Sequence, residues 1–220
     1  MGYLEKLYHN YHELTREEMQ RYHKEDRFKF SPEDRFFFEG CPHIPGQMYM
    51  ADRKALFDAI LQYKPACCFE VGTYTGGGST FFLASAFAKL GKGRVITLEV
   101  DEQMHNRAVE AYRRLLPGLL PFVEFLHGGH PSHFMPYIEA MGEIVECVFL
   151  DGAEDGKETL EQYEFFTPFF RPGSILAAHD WNTEKMGLLK PIIAGKGPWS
   201  IKVELYEPAS VGFIVAYYQG

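Results

Sequence analysis

From residue 66 onward, short apolar runs alternate with segments of helical periodicity, and no other feature narrows the possible folds as much. The runs are ACCFEVG (66–72), RVITLEV (94–100), FVEFLHG (122–128), ECVFLDG (146–152) and SILAAHD (174–180). Between them lie STFFLASAFAKLG, DEQMHNRAVEAYRRLLPG, PSHFMPYIEAMG and KETLEQYEFFTPFFRPG, each stopping on Gly or Pro-Gly. Alternation at this spacing predicts βαβ units and a parallel sheet, because parallel strands can be joined only by a crossover. The tail, WSIKVELYEPASVGFIVAYYQG, holds two β-rich runs joined around Pro208 and predicts an antiparallel hairpin. The expected fold is α/β, a doubly wound, mostly parallel sheet with an antiparallel C-terminal hairpin.

Residues 1–50 read differently. Many aromatic and charged side chains and the Pro- and Gly-punctuated stretch SPEDRFFFEGCPHIPGQMY predict one or two helices and an irregular segment, a cover over the main domain of residues 51–220. Tyr3, Phe28, Phe30, Phe36, Phe37 and Phe38 could line an aromatic acceptor pocket or form a homodimer contact.

A chain of 220 residues suits one sizeable domain. Its net charge of −8 disfavours a nucleic-acid partner, whose phosphates are bound by Lys and Arg. No run of about 18 apolar residues suggests a membrane span, and the polar N-terminus lacks a hydrophobic signal core, so a cytoplasmic location is expected. Cys41, Cys67, Cys68 and Cys147 show no CxxC spacing and read as reduced thiols rather than disulfides or a zinc site.

The loop FEVGTYTGGGSTFF (69–82) occupies the first strand-to-helix turn, where open parallel sheets bind their ligands. Three ligand classes compete for it. A P-loop needs Lys after its second glycine, but Gly78 follows Gly77. A dinucleotide fingerprint needs a second glycine where Tyr74 stands. Glu70, at the strand end, would be a poor neighbour for phosphate and a good one for an adenosine ligand bearing positive charge, as S-adenosylmethionine does on its sulfonium and α-amino groups.

FEVGTYTGGGS resembles motif I of class I S-adenosylmethionine-dependent methyltransferases, especially the O-methyltransferases related to catechol O-methyltransferase and the macrolide-sugar and cephalosporin-type enzymes. The resemblance runs from about residue 47 to the C-terminus and implies a Rossmann-like fold. It implies cofactor contacts from Glu70, Gly72, Thr73, Tyr74, Gly76, Gly78 and Ser79, with Gly78 and Ser79 as alternatives for the methionine carboxylate. In VITLEVDEQMHNRA, Glu99 would accept the ribose hydroxyls, with Asp101 the alternative; in LHGGHPSHF, Gly129 and His130 would meet adenine. PGQMYMADRKALFDAI nominates Gln47 and Tyr49 for the methionine end.

The chemistry is expected at two acidic strand ends, FLDGAEDG and AAHDWN. Methyl transfer needs a nucleophile deprotonated and held in line with the S–CH₃ bond. The resemblance implies a divalent metal, Mg or Mn, on Asp151, His179 and Asp180, with Asp151 also beside the cofactor. The imidazole departs from the hard oxygen set that magnesium prefers. A second reading makes His179 the general base with Asp180 orienting it or binding substrate, and Glu154 a further acid/base candidate. The expected activity is methyl transfer to a small-molecule oxygen. An RNA methyltransferase or a non-catalytic adenosine-ligand-binding protein is the alternative, and a dinucleotide-dependent oxidoreductase is more remote.

Overall fold

The computed structural model describes residues 44–206 and 210–220. The expectations for residues 1–43, including the aromatic set and the homodimer contact, lie outside the described residues, as does the turn around Pro208.

The chain runs α1 (Met50–Tyr63), β1 (Cys67–Val71), α2 (Ser79–Leu90), β2 (Arg94–Glu99), α3 (Glu102–Leu115), β3 (Val123–His127), α4 (Met135–Ala140), β4 (Cys147–Leu150), α5 (Gly156–Phe166), β5 (Ile175–His179), α6 (Lys190–Ala194), β6 (Trp199–Leu205) and β7 (Phe213–Tyr218). The strands form one sheet in the order β3-β2-β1-β4-β5-β7-β6. The first five are mutually parallel, and β7 pairs antiparallel with both β5 and β6. The expected hairpin is therefore present, but only β7 is reversed: β6, at the edge, points the same way as the parallel strands.

Each strand's period-2 alternation feeds two apolar layers. Cys68, Val95, Phe149, Ala177 and Val215 face one way and pack with Phe57 and Ile60 of α1 and Phe81, Leu83 and Phe87 of α2. Phe69, Ile96, Val148, Leu176 and Ile214 face the other way, against Phe134, Ile138, Tyr163, Phe166 and Trp181. Trp181 is wholly buried and its indole N–H donates to Glu204 Oε1 at 3.0 Å, so it belongs to the core. Helix α2 is buried along residues 79–87 because it lies between the sheet and α1. It stops at Gly91, whose φ of 68° is the left-handed cap that glycine favours. Helix α3 keeps a wet face, burying Ala108 and Tyr112, and Asp101 caps it by accepting from the amides of Gln103 and Met104. Asp155 caps α5 in the same way. Among the described residues no helix is long and apolar enough to cross a membrane.

Segment 44–47 is laid across the glycine loop. Gly77 N–H and Thr75 Oγ1 both donate to Pro45 O, at 3.1 and 2.6 Å. The approach is close enough that a Cβ on Gly77 would lie 2.0 Å from Ile44 O, and one on Gly46 would lie 2.2 Å from Gly78 N. Gly77→Ala is accordingly expected to push this strap off the loop, at a cost of about 1–3 kcal/mol. Urea unfolding of the two proteins checks it; unchanged stability would show that the strap yields freely.

Candidate functional site

All parallel strands end on one edge of the sheet, and the loops that leave them build the site. After β1, the loop is fixed by the backbone: Gly72 N–H and Thr73 N–H donate to Leu98 O, and Gly76 N–H to Thr73 O. Gly72 adopts φ 102° where it meets the loop after β4; a Cβ there would lie 2.8 Å from Gly152. Tyr74 has φ 53°, held by its amide donating 2.6 Å to Glu99 Oε2. Asp101 N–H donates to Glu99 Oε1 at 2.9 Å. Glu99 is thus an oriented, nearly buried carboxylate at the end of β2, while Asp101 is spent on capping α3.

Beneath the loop, Glu70 is fully buried. Thr80 Oγ1 donates to its Oε2 at 2.7 Å, the hydroxyls of Ser79 and Thr97 lie beside it, and Oε1 has no partner among the described residues. Burial pushes this carboxyl up to about 7 against the pull of the three hydroxyls. A carboxylate with a free buried oxygen suits a cationic ligand, and Glu99 suits a pair of donating hydroxyls, so the loop fits an adenosine ligand carrying positive charge. Of the other residues nominated for the cofactor, Thr73 and Ser79 are buried, Tyr49 is half-buried where α1 begins, and Gln47 and Gly129 are exposed. His130 is also exposed, and its Nδ1 caps the turn at Pro131–Phe134 by accepting from Ser132 N.

At the ends of β4 and β5 the chain gathers Asp151, His179 and Asp180, whose ligand-type atoms all lie within 4.8 Å of one another, a set that could hold a metal ion. Two further residues join them. His179, itself buried, faces Asp52 Oδ2 through Nε2 at 3.2 Å, and Asp151 Oδ1 and Asp180 Oδ1 through Nδ1, each at 3.3 Å. Lys185 Nζ donates to Asp151 O at 2.9 Å, Asp151 Oδ1 at 3.2 Å and Asp180 Oδ2 at 3.0 Å. The Lys185 ammonium thus bridges the Asp151 and Asp180 carboxylates. Glu154 is exposed, and its backbone amide donates to Glu158 Oε2 at 2.9 Å.

Asp52 and Lys185 are the functional candidates that the sequence reading passes over. An acid in the first turn of a helix ordinarily answers the helix dipole, and a lone lysine ordinarily faces water, so neither carries a local signal. Asp180 sits at φ 56°, a left-handed conformation that costs a non-glycine residue energy and tends to mark functional sites.

The charges settle one another. Burial would lower the His179 pKa, but Asp151 and Asp52 outweigh it and raise it to about 10. Burial would raise Asp151, yet His179 and Lys185 hold it below the usual carboxylate value. Burial raises Asp52 against the opposing pull of His179. The carboxylates around His179 therefore favour its protonated form.

Two pH dependences follow. The His179 contribution to stability is complete below about pH 6.5 and is lost as pH rises through about 10; His179→Asn should flatten that decline in urea unfolding followed over this range. Glu70 has the opposite sense for an acid: its folded value lies above the ordinary 4.5, so ionisation costs the fold stability as pH rises towards 7. Glu70→Gln should stabilise the ligand-free protein by about 1–3 kcal/mol at pH 8 and by less at pH 5. An equal effect at both pH values would refute the assigned cause.

Residues 69–181 match the family model described as a methyltransferase domain, which is more than half of the chain. No curated protein matches. Similar solved structures include the O-methyltransferase TomG from Streptomyces achromogenes, involved in tomaymycin synthesis and in complex with S-adenosylmethionine: 16% identity, TM-score 0.64, covering 96% of this chain and 99% of that one. The O-methyltransferase from Bacillus cereus, in complex with S-adenosylhomocysteine, is 19% identical with a TM-score of 0.64, covering 94% and 99%. A Podospora anserina methyltransferase bound to S-adenosylhomocysteine is 14% identical with a TM-score of 0.52, covering 87% and 98%. With the sheet order, the glycine loop and Glu99 in place, the chain belongs to the class I S-adenosylmethionine-dependent methyltransferases.

Proposed function

We propose that the protein transfers the methyl group of S-adenosylmethionine to an oxygen of a small-molecule acceptor at the ends of β4 and β5. The observation that carries this reading is the position of the charged group against the glycine loop. Asp151 N–H donates to Val71 O at 3.0 Å, and the Asp151 backbone meets the Gly72 turn directly. The net charge of −8 favours a small acceptor over a nucleic acid, and two of the similar structures are described as O-methyltransferases.

In the reaction the acceptor oxygen forms the new O–CH₃ bond as the C–S bond breaks. The sulfonium sulfur keeps the bonding pair and leaves as a neutral thioether, and the acceptor's proton passes to a base. The sequence offers His179 and Glu154 as acid/base candidates, with Asp180 as an orienting or substrate-binding group; His179 is enclosed by three carboxylates and Glu154 lies exposed outside the charged group. Asp180 is assigned the role of that base: its side chain is 28% exposed, and its strained backbone holds it at the mouth of the group. His179 and Lys185 then hold Asp151 below the usual carboxylate value, and Lys185 orients Asp180 through Oδ2. In the cofactor site, Glu99 would take the ribose hydroxyls and Glu70 would face the positively charged end.

The test is release of S-adenosylhomocysteine from S-adenosylmethionine across a panel of hydroxylated small molecules, with tRNA and rRNA as alternatives. Turnover is expected with a hydroxylated small molecule, whereas turnover on RNA alone would overturn the reading. Asp180→Asn should then lower kcat by about 10²- to 10⁴-fold with S-adenosylhomocysteine binding retained. A larger loss in Glu154→Gln would move the proton acceptor there.

A further inference from the structure

Lys185 places an ammonium against both Asp151 and Asp180. We infer that its ammonium is the resident cation of the Asp151–Asp180 pair, so that this methyltransferase operates without a divalent metal. The inference rests on the proposed methyl-transfer reading for its function, but its structural content stands on four observations.

The ammonium is fully committed where it lies. Its three N–H donors meet three acceptors, Asp151 O, Asp151 Oδ1 and Asp180 Oδ2, at 2.9 to 3.2 Å. Nor is it a surface lysine that happens to reach inward: its side chain is only 12% exposed. A tight turn delivers it. Thr183 N–H and Oγ1 both donate to Asp180 O, Met186 N–H donates to Thr183 O, and Met186 is itself buried in the core beside Lys185.

Asp151 Oδ1, Asp180 Oδ2 and both His179 ring nitrogens, atoms that a metal would use, already have partners in the chain. An ion bound to Asp151 Oδ1 would share that oxygen with the ammonium and stand beside its positive charge. The ring nitrogens of His179 each face a carboxylate already, Nε2 towards Asp52 and Nδ1 towards Asp151 and Asp180. A divalent ion normally supplies the positive field that keeps such carboxylates ionised in a partly dry site; here a side chain supplies it.

Mn²⁺ titration followed by the loss of the free-ion paramagnetic resonance signal tests this directly, with S-adenosylhomocysteine present. Wild type is expected to take up no more Mn²⁺ than Asp180→Asn does, whereas Lys185→Gln, freed of its ammonium, gains one ion per chain. Methyl transfer by wild type should be unchanged in EDTA. Uptake of one Mn²⁺ by wild type that Asp180→Asn lacks would overturn the inference, and so would a folded Lys185→Gln that gains none. The wild-type comparison needs no lysine variant, so poor folding of Lys185→Gln would not remove the test. Calorimetric titration of the same wild-type sample with S-adenosylhomocysteine separates the two claims: absent cofactor binding would sink the methyltransferase mechanism while leaving the Mn²⁺ result to judge the cation.

Discussion

A parallel strand can be followed by its neighbour only after the chain has crossed a face of the sheet, and that constraint governs nearly everything else here. Each crossover returns the chain to the same starting edge, so β1, β2, β4 and β5 all finish together. Val71 with Gly72, Glu99, Leu150 with Asp151, and His179 with Asp180 are thereby brought to one rim although they are far apart in sequence. The two central registers make it concrete: Val71 lies opposite both Leu98 and Leu150, one step before Gly72, Glu99 and Asp151. The Gly72 and Gly152 backbones can touch only because neither has a Cβ.

Two kinds of carboxylate share that rim. Glu70 and Glu99 lie at the loop, the former buried among hydroxyls with one oxygen unpartnered among the described residues, the latter fixed by the backbone amides of Tyr74 and Asp101. Asp52, Asp151 and Asp180 instead surround His179 and the Lys185 ammonium. The first kind is held by hydroxyls and backbone amides, while the second has its counter-charges within the chain. This difference is why the loop reads as a binding site and the β4–β5 corner as a pre-arranged electrostatic one.

The strands were legible because each is a compact apolar run bounded by Gly or Pro; all five parallel ones fall within a residue or two of the expected limits. Glu99 and Asp151 were legible for the same reason, since a strand end is a position that periodicity fixes. The order of the C-terminal strands was not, because a hairpin signal gives pairing but not which partner takes the sheet edge. Asp52 and Lys185 escaped notice for a related cause. Asp52 meets His179 across 127 positions of sequence, and Lys185 reaches Asp151 across 34, through contacts that no local pattern encodes. The general-base reading of His179 depended on an ordinary imidazole, and its three carboxylate neighbours became visible only in three dimensions.

The segmental origin of the charged group also bears on how the chain reaches its native state. Asp52 comes from α1, Asp151 from the end of β4, His179 and Asp180 from β5, and Lys185 from the turn beyond it. A single ionised group costs several kcal/mol to bury without its partners. Asp52, the most deeply buried of the five, therefore gains its counter-charge only once β5 brings His179 against it, although α1 is already packed on α2 through Phe57 and Ile60. The corner should close late, which makes an ordered active site and a completed fold the same event.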